Sequence, residues 1–91
     1  MITWDEAKRK RNIREHGIDL ADLESVFDRH MVTVEDDRAA YGELRLQSVG
    51  MWRGRVVFLV WTPRGLDTSH LISCRYAHRQ QTGDCFSSVC R

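Results

Sequence analysis

The side chains best suited to chemistry in this chain are two arginines and a histidine. Thr62-Pro63-Arg64-Gly65 has Pro and Gly where a type I turn prefers them, which predicts Arg64 at a turn tip with its guanidinium displayed. Arg75 stands in an apolar strand segment, between Cys74 and Tyr76. A guanidinium placed there needs an anionic partner or an open face. Forked donors of this kind match phosphate oxygens. His16 falls at the expected end of a helix, on the side it shares with Lys8 and Asn12, since positions i, i+4 and i+7/i+8 line up. It suits two roles there, transferring a proton or capping the helix end. Aromatic residues lie among the cations. Trp52 and Trp61 flank turns, and Tyr76 adjoins Arg75. Rings beside guanidiniums can stack bases. Trp61 reads as a core residue, and Tyr76 fits either a core or a base-stacking role.

The remaining reactive residues are less organised. Cys74, Cys85 and Cys90 with His70 and His78 put five potential ligands in the last 22 residues. No Cys-x-x-Cys pair occurs and the spacings match no zinc template, so no metal or other cofactor is expected. The odd cysteine count allows no complete set of internal disulfides. Gly-x-Ser-x-Gly, P-loop and His-Glu-x-x-His signatures are absent. The basic residues Lys8, Arg9, Lys10, Arg11 and Arg14, together with Arg64, Arg75, His78 and Arg79, are candidates for a phosphate-binding surface. Arg9, Lys10 and Arg11 read mainly as a solvated helix face.

These groups must be positioned by a small scaffold. Ninety-one residues leave room for one core, and 42% hydrophobic with 30% charged residues is a globular composition. The longest apolar run, Val56 to Trp61, is six residues, too short to cross a membrane as a helix. The N-terminus turns acidic at Asp5-Glu6 before any apolar segment, unlike a secretory signal, so a cytoplasmic protein with reduced thiols is expected. Formal charge is +1, but it is segregated: +2 over residues 1–16, −6 over 17–43 and +5 over 44–91. Either the folded surface has one anionic and one cationic region, or the blocks interleave.

The elements follow from period and punctuation. Thr3 and Glu6 fit a capping box that opens a first helix, and Gly17 fits its left-handed end. Only Ala7 and Ile13 are apolar within it. Trp4 belongs either to a short first strand or to the helix entrance. Asp19 is the candidate N-cap of a second helix, with Leu20, Leu23 and Phe27 as its buried stripe, ending near Asp28 or Arg29. Strands are expected at 31–34, 41–49, 56–61 and 68–76, with turns at 51–54 and 62–65. The order predicts an α+β fold: two N-terminal helices packed on one face of a three- to four-stranded antiparallel sheet, with the other face open for binding.

Several stretches resemble the BrnT toxins, the ribonuclease members of BrnT–BrnA type II toxin–antitoxin pairs. They are Ile2-Thr3-Trp4-Asp5-Glu6-Ala7-Lys8, Asn12, His16-Gly17-Ile18 and Val26-Phe27-Asp28 in the first half. The second half contributes Gly50, Gly54-Arg55-Val56-Val57, Trp61-Thr62-Pro63-Arg64-Gly65 and Leu71-Ile72-Ser73-Cys74-Arg75-Tyr76-Ala77. The resemblance covers residues 2–79. It implies a RelE-like fold with a closing helix, metal-independent RNA cleavage, and neutralisation by a cognate BrnA-like antitoxin through which alone operator DNA would be met. It places the family's basic cleft on Lys8, His16, Arg64 and Arg75. Glu15 stands where the family usually has Lys, His70 where Arg is common, and Cys74 where Ala is usual. After Arg79 the family's charged helix gives way to Gln-Gln-Thr-Gly-Asp-Cys-Phe-Ser-Ser-Val-Cys-Arg. The expectation is therefore one toxin domain over 1–79 and an atypical tail over 80–91, loose or ordered by a partner, with the terminal helix unsupported.

The chemistry implied is attack of an RNA 2′-hydroxyl on the adjacent phosphate. His16, Arg64 and Arg75 would be catalytic, and Lys8, Tyr76 and Arg79 would bind substrate. The competing expectation is a catalytically impaired module that docks an antitoxin-like partner through its sheet face. A direct DNA binder fits less well, because no helix-turn-helix spacing occurs and the second helix is acidic.

Overall fold

The computed structural model describes residues 1–38, 40 and 42–77 of the chain. A first strand, β1 (Ile2–Trp4), leads directly into helix α1 (Glu6–His16). A 3-10 turn (Leu20–Asp22) and a single-turn helix α2 (Glu24–Phe27) follow. Strands β2 (Val32–Glu35), β3 (Leu46–Trp52), β4 (Arg55–Arg64) and β5 (Thr68–Tyr76) complete the order. The five strands form one sheet in the order β1-β5-β4-β3-β2, antiparallel except for β1, which runs parallel to β5. The α+β class holds, with one more strand than expected and one parallel pair. Trp4 belongs to that extra strand.

Local chemistry explains the boundaries. Thr3 does not cap α1, because it lies in β1 opposite His70. Asp5 caps it instead, its carboxylate accepting from the N–H groups of Ala7 and Lys8 at 2.9 and 3.3 Å. Gly17 ends the helix at φ 70°, where its N–H donates to the Ile13 carbonyl. Asp19 is an N-cap, accepting from Ala21 N–H at 3.0 Å, but for a 3-10 turn. The expected second helix is thus broken in two after Asp22. Of its expected stripe, Leu20 and Leu23 are fully buried, while Phe27 is half-buried against the core and Val26 takes the third fully buried place. Gly50 lets α2 approach β3, since a Cβ there would lie 3.1 Å from both Val26 and Met31.

Alternation along the strands divides the sheet into two faces. Ile18, Leu20, Leu23 and Val26 pack with Ile2, Trp52, Val57, Leu59, Leu71 and Cys74 to form the core on one face. The opposite face carries Phe58, Val60, Thr62 and Arg64 from β4, in register with Arg75, Ser73, His70 and Thr68 of β5. The register skips Ile72, where Val60 pairs with Ser73 and Trp61 with Leu71. This irregularity brings His70 and Arg75 to one face, although their separation of five residues would otherwise put them on opposite sides.

Helix α1 is not held by the apolar residues expected to hold it. Ile13 is 41% exposed and Ala7 is exposed, while Asn12, at 4%, is the one buried residue of the helix. β1 ends opposite Leu71, and α1 lies along β5 beyond it. There the Asn12 amide stands in for a neighbouring strand. Its Nδ2 donates to the carbonyls of Cys74 and Ile18, both at 2.8 Å, and its Oδ1 accepts from Cys74 N–H at 3.0 Å. Burial at this junction pushes the Cys74 thiol up to about 12, which makes it a small packing group rather than a nucleophile.

Candidate functional site

Where α1 meets the open face, two adjoining hollows form one groove. The first is lined by Lys8, Arg11, Asn12, Glu15, His16, Ile72 and Ser73. The second, about 440 Å³, is lined by His16, Arg38, Gln47, Phe58, Val60, Ser73 and Arg75. That size suits a small polar ligand or one nucleotide of a longer chain. His16 and Ser73 belong to both hollows and join them.

Each wall has a traceable origin. His16 is the last residue of α1, so Asn12 fixes it through the helix, and its Nε2 lies 4.0 Å from Glu15 Oε2. Arg75 projects from β5 opposite Phe58, with its guanidinium carbon 4.5 Å from the ring centroid and Nη1 donating to the Tyr76 carbonyl at 3.2 Å. The aromatic face beneath the guanidinium limits its motion without neutralising it. Gln47, Val60 and Ser73 are register partners on β3, β4 and β5 and form the floor. Cations on two walls above a partly apolar floor suit an anion that carries a flat, apolar group, which is the makeup of a nucleotide.

The structure brings Lys8, His16 and Arg75 to this groove and places the other sequence candidates elsewhere. Arg64 is the last residue of β4, not a turn tip. β3 ends opposite Trp61, so residues 62–64 are laddered by β5 alone and Pro63 fits without breaking the sheet. Arg64 shares a face with Arg75 but is six residues further along β4 from the Phe58 partner of Arg75, roughly 20 Å away at strand rise. Its guanidinium lies 3.7 Å from Glu43. Tyr76 points to the covered face, where it packs on the core with the Arg55 guanidinium 3.6 Å from its ring centroid. Trp52 and Trp61 also face that side, bonding to the Asp22 carbonyl and to Ser48 Oγ. The aromatic residue of the groove is Phe58, which lies in a run, Val56 to Trp61, that is apolar on both parities and does not mark which side faces outward. Arg79, His78 and the tail 80–91 with any terminal helix lie outside the described residues.

Arg11, one of the candidate phosphate-binding cations although its run reads mainly as a solvated helix face, lines the first hollow, and two further groove residues escape the sequence reading. Gln47 alternates outward on β3 but carries no distinctive spacing. Arg38 follows two acidic residues in a loop, a context that reads as surface. The charge blocks interleave in part. Arg9 binds Asp19 at 2.9 Å, and Arg53 approaches Asp22 at 3.9 Å. His70 bonds Thr3 Oγ1 at 2.8 Å, and burial first, then Arg64 and Lys8, lower its pKa and favour the neutral ring. Among the described residues no cluster of three His, Cys, Asp or Glu side chains could hold a metal, and no helix is long and apolar enough to cross a membrane.

Comparison with known proteins bears on the chain as a whole. Residues 4–81 match the family model described as the ribonuclease toxin BrnT of type II toxin–antitoxin systems. The fold is similar to the 1.1 Å crystal structure of the Brucella abortus ribonuclease toxin BrnT, with a TM-score of 0.69 and 31% sequence identity over 86% of this chain and 96% of that one. No curated protein sequence matches the chain.

Proposed function

The chain belongs to the BrnT ribonuclease toxin family of type II toxin–antitoxin systems, and on that premise we propose that its groove cleaves RNA endonucleolytically without a metal ion. The observation that carries this reading is the meeting of His16 and Arg75 across one groove with an apolar floor. The reaction is an internal transfer. The 2′-oxygen bonds to the adjacent phosphorus, the bond from phosphorus to the 5′-oxygen of the next nucleotide breaks, and a proton moves from the 2′-hydroxyl to the departing oxygen. His16 handles that proton. Arg75 meets the growing charge on the phosphoryl oxygens with a fork of donors already oriented by Phe58 and the Tyr76 carbonyl. Lys8 and Arg11, in the adjoining hollow, draw the flanking phosphates along α1. Phe58 supports the base.

A BrnA-like antitoxin neutralises the toxin by covering this face, and operator DNA is met only through that antitoxin. Both events belong to the cytoplasm, where the RNA is. The test is incubation of the purified protein with naked RNA in chelator, followed by mass spectrometry of the ends. A 2′,3′-cyclic phosphate paired with a 5′-hydroxyl is the expected result. Intact RNA would remove the nuclease reading and leave a module that docks its partner. Ends bearing 5′-phosphate would replace the mechanism with hydrolysis.

A further inference from the structure

An in-line displacement at phosphorus is best stabilised from more than one side, and Arg64 is too far from Arg75 to share the task. The groove holds another guanidinium. Arg38 lies between β2 and β3, opposite His16 and Arg75 across the second hollow. Two residues earlier, the Asp36 N–H donates to the Arg45 carbonyl at 2.8 Å, which carries the β2–β3 pairing one step past Glu35 and Leu46. This contact draws the Asp36 side chain inward, where it has no solvent exposure, while Arg38 remains 62% exposed.

The two side chains are locked together. Nε of Arg38 donates to Oδ1 and Nη2 to Oδ2, both at 2.8 Å, and the Arg38 backbone N–H adds a third bond to Oδ1 at 3.3 Å. These bonds, the Arg38 side chain's above all, hold the Asp36 carboxyl well below the usual carboxylate range, so it stays ionised and keeps its grip. A guanidinium has five N–H donors in one plane, and this fork uses the Nε–Nη2 edge. A surface arginine normally samples many rotamers. This one is set by a buried carboxylate, as an enzyme sets a group that must meet charge without rearranging.

We propose that Arg38, oriented by Asp36, binds a phosphate of single-stranded RNA from the wall opposite Arg75 and His16. Asp36 is then a positioning residue. The inference rests on the ribonuclease reading and narrows its substrate class. Gln47, Val60 and Ser73 span two strand spacings, roughly 10 Å, which gives the floor room for one strand rather than a duplex.

The experiment uses a short fluorescent single-stranded RNA for cleavage and its fully 2′-O-methylated counterpart, which lacks the attacking hydroxyl, for binding across a salt series. Arg38→Ala is expected to raise KM and Kd by about tenfold or more. It should also lower the slope of log affinity against log salt by about 0.7, the signature of one lost phosphate contact on a single strand. Arg38→Lys should recover the slope but only part of the affinity, because an ammonium lacks the fork. Since Arg38→Ala leaves a buried carboxylate without its partner, the double variant Asp36→Asn/Arg38→Gln serves as a second, neutral probe and should show the same loss of slope while retaining a cooperative melt. An unchanged slope in both Arg38→Ala and the double variant overturns the inference. If the parent cleaves RNA and Arg75→Ala does not, yet both Arg38 variants match the parent, the nuclease reading stands and Arg38 is structural. If the parent binds the methylated strand with an Arg38-dependent slope but cleaves nothing, the phosphate contact stands and the nuclease reading falls.

Discussion

The two ends of the open sheet face share strands and register, and each carries arginines, yet only one end forms a groove among the described residues. At the α1 end, His16, Arg38 and Arg75 surround a floor of Gln47, Phe58 and Val60. At the hairpin end, Arg64 lies beside Glu43 and His70 is held toward its neutral form. The first end has walls, because α1 and the residues after β2 rise on either side of the sheet. The second has a hairpin whose Leu66 is fully exposed, and no part of either hollow reaches it. Basic residues on a sheet therefore do not define a groove by number. They do so where secondary elements hold them apart around a space.

Removing Arg75 tests this contrast most severely. Arg75→Ala should lower kcat/KM for RNA cleavage by about 100-fold or more, roughly 2.7 kcal/mol of transition-state stabilisation. Activity within about threefold of the parent would show that the groove does not act through this cation. Asn12→Ala addresses the wall itself. It leaves the N–H and carbonyl of Cys74 and the carbonyl of Ile18 without their buried partner, so urea unfolding should show a loss of about 2 kcal/mol. Cleavage should fall as well, because His16 rides on the same helix. Arg64→Ala, at the other end, should change cleavage by less than about threefold in the assay used for Arg75. An Arg75-sized loss there would mean that the RNA spans the whole face.

The smallest effect concerns His70. Its folded pKa is depressed, so the unfolded chain binds the proton more readily and stability falls as pH drops from about 6.5 toward the lowered folded value. His70→Gln should flatten that part of a profile of Tm against pH. An unaltered profile would place the ring's titration elsewhere and weaken the picture of a neutralised hairpin end.

Much of the scaffold was legible. β5 runs from Thr68 to Tyr76, the bounds expected of the last strand, and Gly17 and Asp19 occupy the cap positions their types suggested. What misled were places where tertiary contacts overrode a local pattern. Thr62-Pro63-Arg64-Gly65 is good turn chemistry, but the β4–β5 pairing extends through Arg64 and moves the turn on to Gly65, Leu66 and Asp67. The second helix broke because Asp19 nucleated a tighter turn. In the site, Lys8, His16 and Arg75 were legible from type and spacing. Arg38 was not, because its role depends on a carboxylate two residues away being drawn under the surface, and sequence does not display depth. Asn12 was seen as a polar neighbour of His16, whereas its function is to complete the edge of a strand 62 residues away.

The residue that falls out of step in β5 has one more implication. Because Ile72 has no place in the pairing, the segments before and after it are offset by half a pleat. Were the pairing to run straight through it, Ile72 against Val60 and Arg75 against Val57, everything beyond would be rotated, sending Arg75 into the interior and Cys74 out to the groove. A deletion of Ile72 itself should leave Arg75 opposite Phe58, because the residues on either side of it already hold consecutive places on β4. Along this stretch the register, more than the composition, decides which groups face the groove.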